Sequence, residues 1–204
     1  MAIGINDLNS EQIDVLKEIG NIGAGNAITA LSKMVSKKID MRVPIVNIAE
    51  FKEVAEIVGG PETLVSGIYF NVSGDINGCI MFLIDIKSSR ILVNWLMGKK
   101  DTSIEFDDIE ISALKEVGNI LASSYISSIS TLTGLNITVS VPFLAIDMAG
   151  AIMSVPVILY GQVGDRVVLI ETDFLEGTNH VRGNFFLIPD EESFEILLKS
   201  LGVI

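Results

Sequence analysis

The chain contains a copy of itself, and this constrains its fold more than any other feature. Leu16-Lys17-Glu18-Ile19-Gly20-Asn21-Ile22 returns as Leu114-Lys115-Glu116-Val117-Gly118-Asn119-Ile120. The match runs on without a gap through Ala24/Ala122, Ile28/Ile126, Ser32/Ser130, Ile39/Ile137 and Val43-Pro44/Val141-Pro142. About a dozen identities in about thirty positions mark a duplication. Beyond the prolines the halves agree by pattern. Leu64 to Val72 and Cys79 to Ile84 flank a turn at Gly74-Asp75-Ile76-Asn77-Gly78 and read as a hairpin. Val167 to Phe174 and Asn184 to Ile188, around Glu176-Gly177-Thr178-Asn179, read as another. A short amphipathic helix follows each, Ser88 to Met97 ended by Gly98 and Glu191 to Leu201 ended by Gly202.

Each half thus reads as long helix, strand, variable segment, hairpin, helix. The variable segments differ: Ala49 to Gly60 is charged, whereas Ala145 to Tyr160 is apolar with one acid, Asp147. No Pro/Gly/Ser-rich linker separates the halves, and the join at Lys99 to Phe106 is short and charged. Half-units of this size would struggle to bury a core alone. The sequence therefore predicts one pseudo-symmetric α+β domain made of two repeats, about 9–98 and 107–202. Two long helices pack on a shared, mainly antiparallel sheet.

Charge narrows the function. The 26 acids outweigh 14 bases for a net charge of −12, with no Lys/Arg cluster, which argues against nucleic acid and anionic membrane surfaces. From Val117 to Gly164 the one charged side chain is Asp147, but Asn119, Ser123, Ser124, Ser127, Ser128, Ser130, Thr131, Thr133 and Asn136 break up this tract. It is not a membrane span. No basic-then-apolar leader precedes Gly4-Ile5-Asn6-Asp7, so a cytoplasmic location is expected. The single Cys79 sits in an apolar run and reads as a small buried hydrophobe in a reducing compartment.

Asn9 or Ser10 can cap the first long helix, and Asp107 the second with Glu110 completing a capping box; Gly134 can end it. At about 100° per residue Leu16, Gly20, Gly23, Ala27, Ala30, Leu31 and Met34 form one apolar stripe. In the copy Leu114, Gly118, Leu121, Tyr125, Ser128 and Leu132 fall in the same places, and this face is read as core. On the opposite face Asp14, Glu18, Asn21 and Gly25 follow i, i+4, i+7, i+11 spacing, as do Ser112, Glu116, Asn119 and Ser123. Ile22 and Ile28 border the first line, Ile120 and Ile126 the second. An exposed Glu and Asn three apart usually mean only a wet helix surface. Here the pair recurs at the same phase in both halves, and Gly20, Asn21, Gly23, Gly25 and Asn26 sit mid-helix, where weak helix formers signal close packing or a site. The residues alone point to paired polar sites built for a partner.

Asp14-x3-Glu18-x2-Asn21-x22-Pro44 and Ser112-x3-Glu116-x2-Asn119-x22-Pro142 both resemble the signature of the CheC/CheX/FliY phosphatases of bacterial and archaeal chemotaxis. The resemblance spans essentially the whole chain. It implies hydrolysis of the aspartyl phosphate on the response regulator CheY. Glu18 and Glu116 would then anchor the receiver, and Asn21 and Asn119 would orient the attacking water, with Asp14 and Ser112 in support and Pro44 and Pro142 fixing the strand after each helix. Mg²⁺ is expected on the CheY substrate, and no cofactor or metal of the chain's own. The resemblance also implies binding of the receptor deamidase CheD through the segment after the second proline, around Asp147, Met148 and Ala149. The plainer alternative is that Asp147 caps a short helix.

The remaining inventory offers no competing chemistry. His180, the one histidine, falls in a hairpin loop, and Gly20-x2-Gly23-x-Gly25 lies within helix periodicity, not at a strand-to-helix turn that could cradle phosphate. The competing functional class is a binding module that sequesters CheD and docks phosphorylated CheY with little turnover. Since the duplication can stand in for a homodimer, a monomer is expected.

Overall fold

Two helices of 26 residues set the frame, and each starts by the same device. The first half runs α1 (Ser10–Val35), β1 (Asp40–Met41), β2 (Ile45–Glu50), α2 (Phe51–Ile57), β3 (Leu64–Gly74), β4 (Gly78–Asp85) and α3 (Ile86–Met97). The second repeats that order as α4 (Asp108–Thr133), β5 (Ile137–Val139), β6 (Phe143–Met148), α5 (Ala149–Tyr160), β7 (Arg166–Glu176), β8 (Asn179–Pro189) and α6 (Glu191–Ser200). The structure, a computed structural model, describes residues 9–42, 44–160 and 166–202. Val43, the Gly4-Ile5-Asn6-Asp7 stretch and residues 161–164 of the low-charge tract lie outside the described residues.

Asn9 Oδ1 accepts the Gln12 N–H at 3.0 Å while Gln12 Oε1 accepts the Asn9 N–H at 2.8 Å. Asp107 and Glu110 do the same for α4, at 2.8 and 3.2 Å. Each box satisfies amides that a helix start leaves without partners. Ser36 and Gly134 end the two helices in the left-handed region, at φ 52° and 73°.

Among the described residues the strands form one antiparallel sheet in the order β1-β7-β8-β4-β3-β5, with β2 also on β7 and β6 also on β3. The hairpins β3–β4 and β7–β8 meet at β4 and β8, where Gly78 faces Pro189 and Ile84 faces Gly183. The strands after each long helix cross over. Those from the first half pair with β7, and those from the second with β3.

The crossing strands explain the prolines. Val139 faces Val72 and Phe143 faces Tyr69, so Ser140, Val141 and Pro142 stand against only Phe70 and Asn71, which is a β-bulge. The first half shows the same offset, with Met41 opposite Phe174 and Ile45 opposite Glu171. Even the rim bonds match: Ser140 N–H donates to the Asn71 carbonyl at 2.9 Å and Arg42 N–H to the Asp173 carbonyl at 3.2 Å. A proline, with no N–H to leave unpaired, suits the extra residue of a bulge. The bulge also switches which residues face inward, since side chains alternate along a strand. Val46 and Leu144 therefore join the core, while their neighbours Ile45 and Phe143 are 56% and 57% exposed.

The sheet has an apolar layer on each face. α1, α4, α3 and α6 pack on one, against Ile68, Phe70, Phe82, Ile170 and Phe185; α2 and α5 pack on the other, through Val54, Ile152 and Met153 against Val65, Met81, Leu169 and Phe186. These two short helices occupy the segments read from sequence as merely variable. α1 and α4 touch directly. The Tyr125 ring lies over Gly23, stacks on Phe185 with centroids 4.1 Å apart, and shares a hydroxyl hydrogen bond of 3.2 Å with Thr172. Asn26 Nδ2 donates to Ser128 Oγ at 3.1 Å.

Two sequence readings need correction. Leu132, assigned to the core stripe of α4, is 44% exposed because it falls in the last turn, beyond the sheet. His180 belongs to β8, near its start, and is exposed.

The helix contact yields a stability test. A Cβ at Gly23 would lie 2.4 Å from Tyr125 Cδ1, whereas one at Gly25 would meet nothing within 4 Å. Gly23→Ala is expected to cost about 1–3 kcal/mol by overpacking. Gly25→Ala should gain about 1 kcal/mol of helix propensity. Urea denaturation of the two variants reads the contrast.

Candidate active site

The acid and amide of each helix lie one turn apart on its outer side. Glu18 and Glu116 are exposed, and Asn21 and Asn119 are half-buried beside them. None of these four side chains has a hydrogen-bond or ion-pair partner among the described residues. On a helix surface a glutamate and an asparagine at i and i+3 are neighbours, about 5–6 Å apart at Cβ. Each pair offers one flexible carboxylate and one shorter amide whose hydrogen-bonding capacity is unspent.

The first motif position is engaged locally in both copies. Lys17 Nζ lies 2.8 Å from Asp14 Oδ1, and Ser112 Oγ donates to the Asp108 carbonyl at 2.8 Å. Pro44 and Pro142 sit in the bulges described above and act on strand geometry. Ile22, Ile28 and Ile120 are half-buried beside the lines, but Ile126 is buried at 5% exposure and belongs to the core.

The mid-helix glycines divide into two kinds. A Cβ at Gly20 would lie 2.6 Å from Val46 Cγ2 and one at Gly118 would lie 2.8 Å from Ile68, so these, like Gly23, exist for close packing. Asn26 is accounted for by Ser128. Gly25 has no packing reason. Its missing side chain leaves open surface one turn beyond Asn21, where α4 carries Ser123.

An unanticipated buried network anchors the second site. Arg90 of α3 is 4% exposed, and its guanidinium donates to both carboxylate oxygens of Glu110, at 2.8 and 3.1 Å. It also donates to the Ser103 carbonyl at 2.7 Å and the Glu105 carbonyl at 2.5 Å, and lies 4.2 Å from the Phe106 ring centroid. Lys99 Nζ adds a contact of 3.0 Å to Glu110 Oε1. The bidentate Arg90 pairing, Lys99 and the Asp107 N–H hold the Glu110 carboxyl at a pKa of about 2, against the upward push of burial. One guanidinium therefore ties the charged join between halves to the start of α4. The sequence carried a faint signal for this, an arginine between Ser89 and the apolar Ile91-Leu92-Val93; in α1 the equivalent box is formed by the side-chain amides of Asn9 and Gln12.

Other groups are placed away from such chemistry. Burial pushes the Cys79 thiol up to about 12, so it is protonated and inert at neutral pH. No group of three or more metal-ligating side chains occurs among the described residues, and no helix among them is long and apolar enough to cross a membrane. Across the sheet from α1 and α4 lies an apolar groove of about 590 Å³ between β3, β6 and α5, lined by Tyr69, Phe143, Asp147, Ile152, Val155 and Leu159. Asp147 sits at the end of β6, and its Oδ1 accepts the Met148 N–H at 2.7 Å. That bond to the next residue is not a helix cap, which would reach the second or third amide of α5. Met148 is 52% exposed and Ala149 is buried. The low-charge tract thus has two destinations: one face of its α4 part, including Val117, Leu121, Tyr125 and Ile129, is packed inside, while its α5 part lines this groove.

A duplicated helix-and-hairpin unit with a Glu–Asn pair on each long helix defines a class, and comparison with known proteins gives it a name. The CheC-like family model matches residues 11–48 and 109–146, once in each half. The chain is 35% identical over 202 residues to the Bacillus subtilis (strain 168) CheY-P phosphatase CheC, covering 97% of both chains. It is 27% identical over 140 residues to the flagellar motor switch phosphatase FliY of the same organism, covering 68% of this chain and 36% of FliY. The crystal structure of Thermotoga maritima FliY superposes with a TM-score of 0.77 at 23% identity, covering 96% of this chain and 98% of that one. The chain belongs to the CheC-like family.

The Arg90–Glu110 pair predicts a pH-dependent stability. Glu110→Gln removes the close bidentate carboxylate from a buried guanidinium, with Asp101 Oδ2 remaining at 3.5 Å, and is expected to cost about 3–5 kcal/mol at neutral pH. A depressed folded-state pKa means that the stabilisation is complete above the unfolded value of 4.5 and is lost as pH falls towards about 2. The gap between wild type and variant, measured by urea denaturation, should be flat above pH 5 or so and close progressively below it.

Proposed function

We propose that this chain is a phosphatase that hydrolyses the aspartyl phosphate of the response regulator CheY at two sites, Glu18/Asn21 and Glu116/Asn119. The observation that carries the reading is the recurrence, at one phase in two equivalent helices, of an exposed glutamate beside an amide with no partner among the described residues. Near full-length similarity to a protein named as a CheY-P phosphatase supports it.

The chemistry asked of the site is small. A phosphorylated receiver brings its own Mg²⁺ and cationic groups to the phosphoryl oxygens and lacks only a positioned water. Glu18 or Glu116 pairs with a cationic group at the rim of the receiver's pocket and fixes the register of docking. Asn21 or Asn119 enters the pocket, and its carboxamide oxygen accepts one hydrogen of the water. The water oxygen forms a bond to phosphorus in line with the aspartyl oxygen. The bond to that oxygen breaks, and the products are inorganic phosphate and a free aspartate carboxylate. An amide is no strong base, so the acceleration comes from positioning.

A second role is favoured by the groove. Its apolar lining, with Phe143 at 57% and Leu159 at 57% exposure and the Asp147 carboxylate at its edge, suits a protein ligand, and the partner proposed for it is CheD. This surface lies across the sheet from the phosphatase helices, so binding and hydrolysis are compatible in one chain.

Decay of CheY-phosphate tests the first role. Asn21→Ala and Asn119→Ala should each remove one site's share, and the double variant should be slower by about a hundredfold or more, as expected when a water is no longer held in place. Full activity in the double variant overturns the mechanism. For the second role, Phe143→Glu should weaken CheD binding measured by calorimetry while leaving CheY-phosphate hydrolysis intact.

A further inference from the structure

The two lines differ at their N-terminal ends, and the difference bears on how each docks its substrate. Ile109 stands at the start of α4 and is 68% exposed. At about 100° per residue it falls between Glu116 and Ile120 on the helix surface, seven residues before Glu116, and so extends the Glu116/Asn119 line by two turns. Its equivalent in α1 is Glu11, exposed and at the same phase before Glu18. The α1 line therefore presents Glu11, Asp14 and Glu18, with Lys17 on Asp14. The α4 line presents Ile109, Ser112 and Glu116, flanked by Asp108 and Lys115.

What sets this exposed side chain apart from the chain's other exposed apolar residues is its place on the Glu116/Asn119 line, not packing. It fills no gap in either core layer. It does not staple the helix either, because that device uses the residue before the cap and the fourth helical position. We infer that Ile109 is a specificity-determining residue of the second site. It docks against an apolar patch on the rim of the phosphorylated receiver, whereas the first site meets the same rim with the carboxylate of Glu11. The inference rests on the reading that Asn21 and Asn119 each serve one phosphatase site. Its consequence is that the two sites differ mainly in affinity and in salt response. The first loses more affinity as salt screens Glu11, Asp14 and Glu18, and the second loses less, because beside the Glu116 ion pair it has an apolar contact that salt does not weaken.

The experiment uses full-length chains that retain one site each, Asn21→Ala for the second and Asn119→Ala for the first, with phosphorylated CheY as substrate. Adding Ile109→Glu to the Asn21→Ala chain should raise KM about tenfold with kcat little changed, since burial of an isoleucine in the complex is lost. Ile109→Leu should restore it. Adding Glu11→Ile to the Asn119→Ala chain should lower KM and flatten its rise with ionic strength. An unchanged KM for Ile109→Glu overturns the inference, as does an equal loss in both backgrounds, which would mark a folding effect. If the Asn21→Ala/Asn119→Ala chain remains active, the site assignment itself fails, and the Ile109 inference falls with it.

Discussion

Everything in this molecule depends on the exchange of strands between its halves. After each long helix the chain does not return to its own hairpin but pairs with the hairpin of the other repeat, β1 and β2 on β7, β5 and β6 on β3. α1 is thereby held over strands of the second half as well as its own, with Gly20 against Val46 and Ile170, and α4 lies over Ile68 of the first. The two Glu–Asn pairs are set in one rigid frame because the backbone hydrogen bonds of that frame run from each repeat to the other.

Much of this was legible in the sequence, and the reason is the repeat. An internal copy acts as a built-in comparison, so position 18 could be weighed against 116 and 44 against 142 without any other protein. Caps, hairpins and terminal helices followed from local chemistry: Asn9, Asp107, Gly98 and Gly134 do what such residues do wherever they occur. The exchange itself was not legible, because hydrophobic alternation says that a strand is half-buried, not which strand it joins. The short helices α2 and α5 were hidden for a different reason. α5 is apolar on nearly all sides, and an amphipathic period is what normally betrays a helix. Arg90 was missed because burial of a charge depends on a distant partner, and Glu110 had already been explained by the cap.

The candidate site shows the same division. Which residues line up was a matter of spacing and could be read directly. Why the glycines are there could not. Four weak helix formers around Asn21 suggested a site, yet Gly20, Gly23 and Asn26 are explained by packing and by Ser128, and Gly25 retains a surface role. The duplication has also been used unequally. One copy starts its helix with a simple amide box, the other with a carboxylate clamped by a buried guanidinium. On the far side of the sheet one copy has a short charged helix and the other a longer apolar helix beside a groove. A two-fold scaffold with a Glu–Asn pair on each long helix and an apolar groove beside one of its two short helices is no longer a symmetric object.

The strand exchange has a kinetic side. β1 and β2 finish their synthesis long before β7 exists, and until residues 166–176 arrive their hydrogen-bonding edge has no native partner. Pairings of such long range are slow to form, and an unpaired edge invites association with other chains. The N-terminal half must therefore wait, partly folded, for the C-terminal hairpin. Its exposed strand edges are covered only once the last strands have left the ribosome.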